Sequence, residues 1–321
     1  MMKIICTSDQ SRKIKYFAVT LWAVILWSTS YPVIRYLVLA GSDPFLVAFC
    51  RTFFTMIIFA GLLFWMKKPP SFAHFKANWP LLLGMSLTGV VGMFLALAIG
   101  LQYVPAGKST LINSINPALI VFMAHFVFHE PLSWRRITGL VLSLLGVLLV
   151  ITGNDLGVWH RLSFQAADLF FVFSGFCWAF YSILNRALGD RMDPMEGLFW
   201  VFACAVICLL PVAIILGNHF RLFSAQSWLW LFYLGLFPGA LGNYFWYQGI
   251  IVVGAANAGL INSFLPLSAI IISYFTLGEI LTPLQMAGAT ILTFGVWLGI
   301  YRTPKPGAFG HAHLEDRSLS K

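Results

Sequence analysis

Ten long runs of apolar residues, joined by short connections, constrain this chain more than any other feature. They cover 16–38, 45–66, 79–100, 108–128, 137–153, 167–187, 195–217, 228–250, 257–277 and 283–301. About 20 mainly apolar residues cross a bilayer as a helix, the form that lets the segment satisfy its own backbone polar groups in hydrocarbon. Ten such spans use up nearly all 321 residues and leave no length for a large extramembrane domain. Composition agrees: 60% of the residues are hydrophobic and 10% charged, where a soluble chain carries about 25% charged residues. The first run, 16–38, is longer than the roughly 7–15 residue core of a signal peptide and is kept as a span.

The net charge of +9 does not point to nucleic acid. The basic residues gather in clusters between apolar runs, where they set orientation, and form no stripe interleaved with aromatics, so the lipid bilayer is the partner they indicate and nucleic acid is not expected. Fifteen Lys and Arg flank the runs on the side of the termini and four (Arg35, Lys108, Arg161, Arg221) lie on the other. That bias puts both termini in the cytoplasm of a multi-pass inner-membrane protein, with 303–321 as a solvated cytoplasmic tail. The cysteines Cys6, Cys50, Cys177, Cys204 and Cys208 show no zinc or redox spacing and are expected as small membrane hydrophobes without a disulfide.

An internal duplication orders the runs. Trp27 and Arg35 recur as Trp178 and Arg186, Asp43-Pro44 as Asp193-Pro194, and Leu111-Ile112-Asn113-Ser114 as Leu260-Ile261-Asn262-Ser263. Pro117 with Pro266, Glu130 with Glu279, Gly139 with Gly288 and Gly146 with Gly295 keep the same register. The duplication divides the chain into 16–153 and 164–302, five spans each, and an odd number of spans turns the second half upside down. Inverted repeats are a transporter architecture, because the two halves can exchange conformations and swap which side is open. The fold expected is an all-α integral membrane protein with ten transmembrane helices, as two inverted five-helix repeats around a central cavity.

The run 27–35, Phe49-Cys50-Arg51-Thr52-Phe53, residues 98–116, Pro117, Glu130 and the Gly-rich closing helix resemble the EamA-type repeat of the drug/metabolite transporter superfamily, and the second half resembles it too. The resemblance covers nearly all of 16–301. It implies ten helices around a central cavity and no nucleotide-hydrolysing part, on a scaffold that serves amino acids, nucleotide sugars, sugar phosphates and xenobiotics.

Arg51 is the one charged side chain placed deep in a run, about 9 Å into the hydrocarbon at 1.5 Å per residue. A lone arginine there costs about 2.5–3.5 kcal/mol unless it meets a wet cavity or a partner. Two readings stand side by side: an anchor for a substrate carboxylate or phosphate, and a clamp tying loosened carbonyls of neighbouring helices. The Leu-Ile-Asn-Ser motifs have their own logic. Proline lacks the N–H that would bond the carbonyl four residues earlier, so Pro117 frees that of Asn113 and Pro266 that of Asn262. Broken backbone at membrane depth is tolerated where it is buried in protein or lines a cavity. Asn113, Asn116 and Asn262 are therefore candidate cavity residues. The polar-tipped aromatics Trp27, Tyr31, Trp178 and Tyr181, with Asn243 and Tyr247 of the 243–248 cluster, are candidate walls that stack on a substrate.

Other features have structural readings. Lys108 opens the fourth span and is expected to snorkel to headgroups. Glu130 and Glu279 precede Ser133 and Thr282, which look like N-caps, so they are expected to close helix ends rather than relay protons. His125, His129 and Glu130 lack the spacing of a metal site, and no metal or cofactor is expected. Gly89, Gly92, Gly239 and Gly242 suggest close helix contacts. There is no Ser-His-Asp grouping, P-loop or dinucleotide turn, so an enzyme is not expected. The function expected is a secondary transporter of small organic metabolites, amino-acid-like or related solutes with export among the options, working by alternating access; a non-transporting membrane scaffold or assembly partner is the alternative. Sequence carries no signal of oligomeric state.

Overall fold

A computed structural model describes residues 2–104, 109, 112–113, 115–152, 165–217, 224–268, 271–272 and 282–300, with side chains from residue 14 onward save those of Ile151 and Asp190. Lys108, Arg161, Glu279 and the tail lie outside them. The described residues form helices and turns, with no strand among them. The helices are α1 (Met2–Ser28), α2 (Ser30–Leu39), α3 (Pro44–Trp65), α4 (Phe72–Met85), α5 (Met93–Tyr103), α6 (Asn116–Phe128) and α7 (Trp134–Thr152) in the first part of the chain. The second part has α8 (Asp168–Leu188), α9 (Pro194–Ile215), α10 (Ala225–Leu234), α11 (Asn243–Val253), α12 (Ala255–Asn262) and α13 (Pro283–Ile300). Six helical segments among the described residues are long and apolar enough to cross a membrane. The chain is a multi-pass membrane protein.

Helix starts follow from local chemistry. Asp43 accepts from the N–H groups of Phe45 and Leu46 at 2.9 and 3.2 Å, and Pro44 fills the first helical position. Asp193 does the same for Met195 and Glu196, ahead of Pro194. Both caps satisfy donors that a helix start leaves open, and proline loses nothing where its N–H has no partner anyway. Thr282 and Gln285 form a reciprocal capping box: Thr282 N–H donates to Oε1 of Gln285 at 2.9 Å, and Gln285 N–H to Oγ1 of Thr282 at 3.2 Å. Ser133 Oγ accepts from Arg136 N–H at 3.3 Å. Glu130 also has its expected structural place, with Oε2 3.5 Å from Nη1 of Arg136, whose Nη2 reaches Asn257 at 3.3 Å.

Five close helix pairs join the two parts of the chain: α1 on α11, α3 on α9, α5 on α8, α6 on α12 and α7 on α13. The last pair is the tightest. A Cβ on Gly146 would lie 2.4 Å from the Leu292 nitrogen, and one on Gly295 would lie 2.5 Å from the Ser143 nitrogen. Small residues let helix backbones approach to this distance, and dispersion then substitutes for a hydrophobic force that lipid does not supply. Large apolar side chains such as Phe64, Trp65, Phe126, Ile214 and Ile215 face outward, where lipid is their natural solvent.

Helices are interrupted where the parts meet. Ser28 and Thr29 donate their hydroxyls back to the carbonyls of Ile25 and Leu26, both at 2.7 Å, and Pro32 removes the N–H that would bond Ser28. The α1–α2 break at Thr29 follows. The segments Ser86–Gly92 and Gly235–Gly242 wind as π-helix, their starts 149 residues apart, the register of the duplication. The expected proline breaks are also present. Helix α6 begins at Asn116 with Pro117 in its first turn, and α12 stops at Asn262 before helix resumes at Leu265.

Candidate functional site at the helix breaks

The interruptions converge near the middle of the bundle around a narrow cavity of about 40 Å³, measured to the centres of water-sized molecules. At roughly 10–15 Å³ per water, it holds a few waters and no metabolite, so a solute requires it to widen. Seven of the ten sequence-derived candidates line it: Trp27, Tyr31, Arg51 and Asn116 from the first part, Trp178, Asn243 and Asn262 from the second. Two more stand directly behind. Asn113 donates to the Tyr31 hydroxyl at 3.1 Å and accepts from Ser174 Oγ at 3.2 Å. Tyr181 donates to Asn243 Oδ1 at 3.3 Å and stacks on Trp178 with ring centres 5.1 Å apart. Tyr247 is not at the cavity. It sits a turn beyond Asn243 and its hydroxyl donates to the Gly189 carbonyl at 2.9 Å, so it holds the end of α8.

The walls are fixed through the opened backbone. The carbonyl of Pro238 accepts from Trp27 Nε1 at 2.9 Å, and Asn243 Nδ2 donates to the Gly239 carbonyl at 2.7 Å. Glycine is required where these rings press on the π-helices: a Cβ on Gly89 would lie 2.1 Å from the Tyr181 ring, and one on Gly242 would lie 2.7 Å from Trp27 Nε1. Gly92 and Gly239 are also closely approached, by Cys177 and Thr55. Trp27 and Trp178, repeat counterparts, meet edge to face at 4.6 Å, and Trp246 joins both within 5.4 Å. These indoles form a rigid aromatic wall.

Arg51 is 3% exposed on α3, with its Cζ 3.8 Å from the centre of the Phe94 ring. Its Nε is buried without a hydrogen-bond partner, and it binds no carbonyl or carboxylate among the described residues. Carbonyl clamping falls instead to the repeat pair Arg35 and Arg186. Arg35 Nη1 donates to the carbonyls of Leu101 and Val104, each at 2.8 Å, and Arg186 Nη1 to that of Ile251 at 2.5 Å. The Oδ1 atoms of Asn116 and Asn262 are buried and unpartnered. The cavity lining thus combines a guanidinium without an acid partner among the described residues and aromatic faces, with two unpartnered acceptors buried beside them, a set that suits a small solute carrying both an anionic group and donors. Among the described residues no three His, Cys, Asp or Glu side chains gather as a metal site.

Sequence reasoning missed Ser30, Met93, Phe94, Leu97 and Leu265, which also line the cavity. The duplication held the signal for two of them. Phe94 is 149 residues before Asn243, and Leu265 is 149 residues after Asn116, so carrying each candidate into the other half lands on a cavity residue.

Known proteins give the same scaffold. A crystal structure of 16% sequence identity matches with a TM-score of 0.74 over 88% of this chain and 95% of its own. At that identity the likeness concerns the fold alone. An uncharacterized transporter of Bacillus subtilis is 26% identical over 225 residues, 69% of this chain and 73% of its own. A probable amino-acid metabolite efflux pump of Salmonella typhimurium is 25% identical over 301 residues, 91% of this chain and 96% of its own. A probable terminal-alkyne amino-acid exporter of Streptantibioticus cattleyicolor is 22% identical over 292 residues, 88% of this chain and 93% of its own. The model of the EamA-like transporter family matches residues 14–152 and again 165–301, so the chain belongs to that family.

Proposed function

We propose that this protein is a secondary carrier of amino-acid-like solutes across the cytoplasmic membrane, with export as its direction. In this reading ten spans form two inverted halves, 16–153 and 164–302, both termini are cytoplasmic, and the central cavity opens to each side in turn. The observation that carries it is the cavity itself: helix breaks from both halves meet there around Arg51, a buried cation with no acid partner among the described residues. A guanidinium edge suits a carboxylate, and the unpartnered Oδ1 atoms of Asn116 and Asn262 suit an ammonium group. The cross-half helix pairs and the π-helices in matching register support an inverted repeat. Printed names of two relatives, an amino-acid metabolite efflux pump and an amino-acid exporter, support the solute class and direction.

The test is flux of each of the twenty labelled L-amino acids in proteoliposomes holding the purified protein. Saturable, counterflow-sensitive movement of at least one is expected, with loss in Arg51→Met. Absence of flux for all twenty, together with no melting shift by any of them, would overturn the reading.

A further inference from the structure

A buried arginine ordinarily has an acid beside it, because an uncompensated cation in a medium of low polarity is costly. Arg51 has none among the described residues. What it has is Phe94, 5% exposed, at the start of α5 just after the first π-helix, with the ring centre 3.8 Å from the guanidinium carbon. An aromatic face attracts a cation without using any of its N–H donors, whereas a carboxylate would engage two of them.

We propose that Phe94 is the positioning residue for Arg51: its ring substitutes for a counter-ion, fixes the guanidinium against the cavity wall, and leaves the donors for the anionic group of the solute. This rests on the carrier reading above. The register of the duplication adds a second argument. Phe94 and Asn243 occupy equivalent places after the two π-helices, and each contacts a polar side chain of a neighbouring helix, Phe94 holding Arg51 at the cavity and Asn243 holding Tyr181 directly behind it. With an acid at position 94 instead, an incoming carboxylate would have to compete with an internal one. The aromatic residue therefore makes the site selective for anionic groups over their neutral amides.

Two measurements test this, the first without any solute. Melting temperatures of the full-length protein in detergent are compared for wild type, Phe94→Leu, Arg51→Met and the double variant. If the ring holds the cation, Phe94→Leu lowers the melting temperature at least twice as much with Arg51 present as in the Arg51→Met background, and Phe94→Trp keeps the wild-type value. Equal losses in both backgrounds overturn the proposal. The second uses the twenty L-amino acids and the amide of whichever stabilises the wild type best. Phe94→Leu should weaken the carboxylate form roughly tenfold, the scale of one cation–π contact, while sparing the amide. Phe94→Trp should restore the preference and Phe94→Glu should abolish carboxylate binding. A parallel loss for carboxylate and amide would mark the ring as packing only and overturn the proposal. If no amino acid stabilises the wild type, the amino-acid reading falls, while the solute-free comparison still decides the role of Phe94.

Discussion

Arg51 and Arg35 are both membrane arginines, and their surroundings predict opposite effects of the same substitution. Placing an unpaired arginine at the centre of a membrane helix costs about 2.5–3.5 kcal/mol. Contact with the Phe94 ring offsets about 0.5–2 kcal/mol of that. The empty protein is thus left with a net penalty of about 0.5–3 kcal/mol at Arg51. Methionine has a similar length, packs adaptably and carries no charge. Arg51→Met should therefore stabilise the empty protein by about 0.5–3 kcal/mol while abolishing solute flux. Arg35 instead donates to two carbonyls at 2.8 Å, and hydrogen bonds from a charged donor contribute about 1.5–3 kcal/mol each. Because both bonds come from one nitrogen, Arg35→Met should cost about 2–4 kcal/mol rather than their full sum. The assay is reversible unfolding in mixed micelles, with denaturant midpoint and slope recorded for both variants against wild type. If Arg51→Met destabilises the protein as much as Arg35→Met, Arg51 is a clamp and the charge argument is refuted.

Three further outcomes follow from the helix contacts. Gly146→Ala puts a methyl group against the backbone of α13 and should cost about 1–3 kcal/mol, read as a lowered melting temperature; Gly61→Ala, where no atom lies within 4 Å, should change it little. Replacing Pro117 and Pro266 together by alanine restores backbone donors at both breaks, so flux should slow with expression intact, and wild-type flux would reduce the breaks to simple bends. For orientation, a single cysteine at Lys68 in a cysteine-free background should react in intact cells only with permeant thiol reagents, and one at Gln226 also with impermeant ones. Labelling of both by impermeant reagents would sink the inverted topology.

What was legible from the residues alone is what depends on short stretches of chain. The Asp43-Pro44 and Asp193-Pro194 caps, the Thr282 and Gln285 box, and the breaks before Pro117 and Pro266 are where local chemistry puts them, because a cap or a missing N–H acts within one turn. Pro32 and the hydroxyls of Ser28 and Thr29 carried the same kind of signal for the Thr29 break, which span-length reasoning passed over.

Only the tertiary structure decided which side chains meet. A membrane helix is apolar on every face, so its sequence has no amphipathic period to say which way Arg51, Tyr247 or Phe94 turns. Those directions come from helix pairs that join residues far apart in the chain, α3 with α9 and α1 with α11 among them. Packing across the two parts put Phe94 rather than an acid on Arg51, gave the carbonyls to Arg35 and Arg186, and sent Tyr247 to Gly189. Sequence determined that an arginine stands deep in the membrane; the surrounding helices determined that its donors are left free.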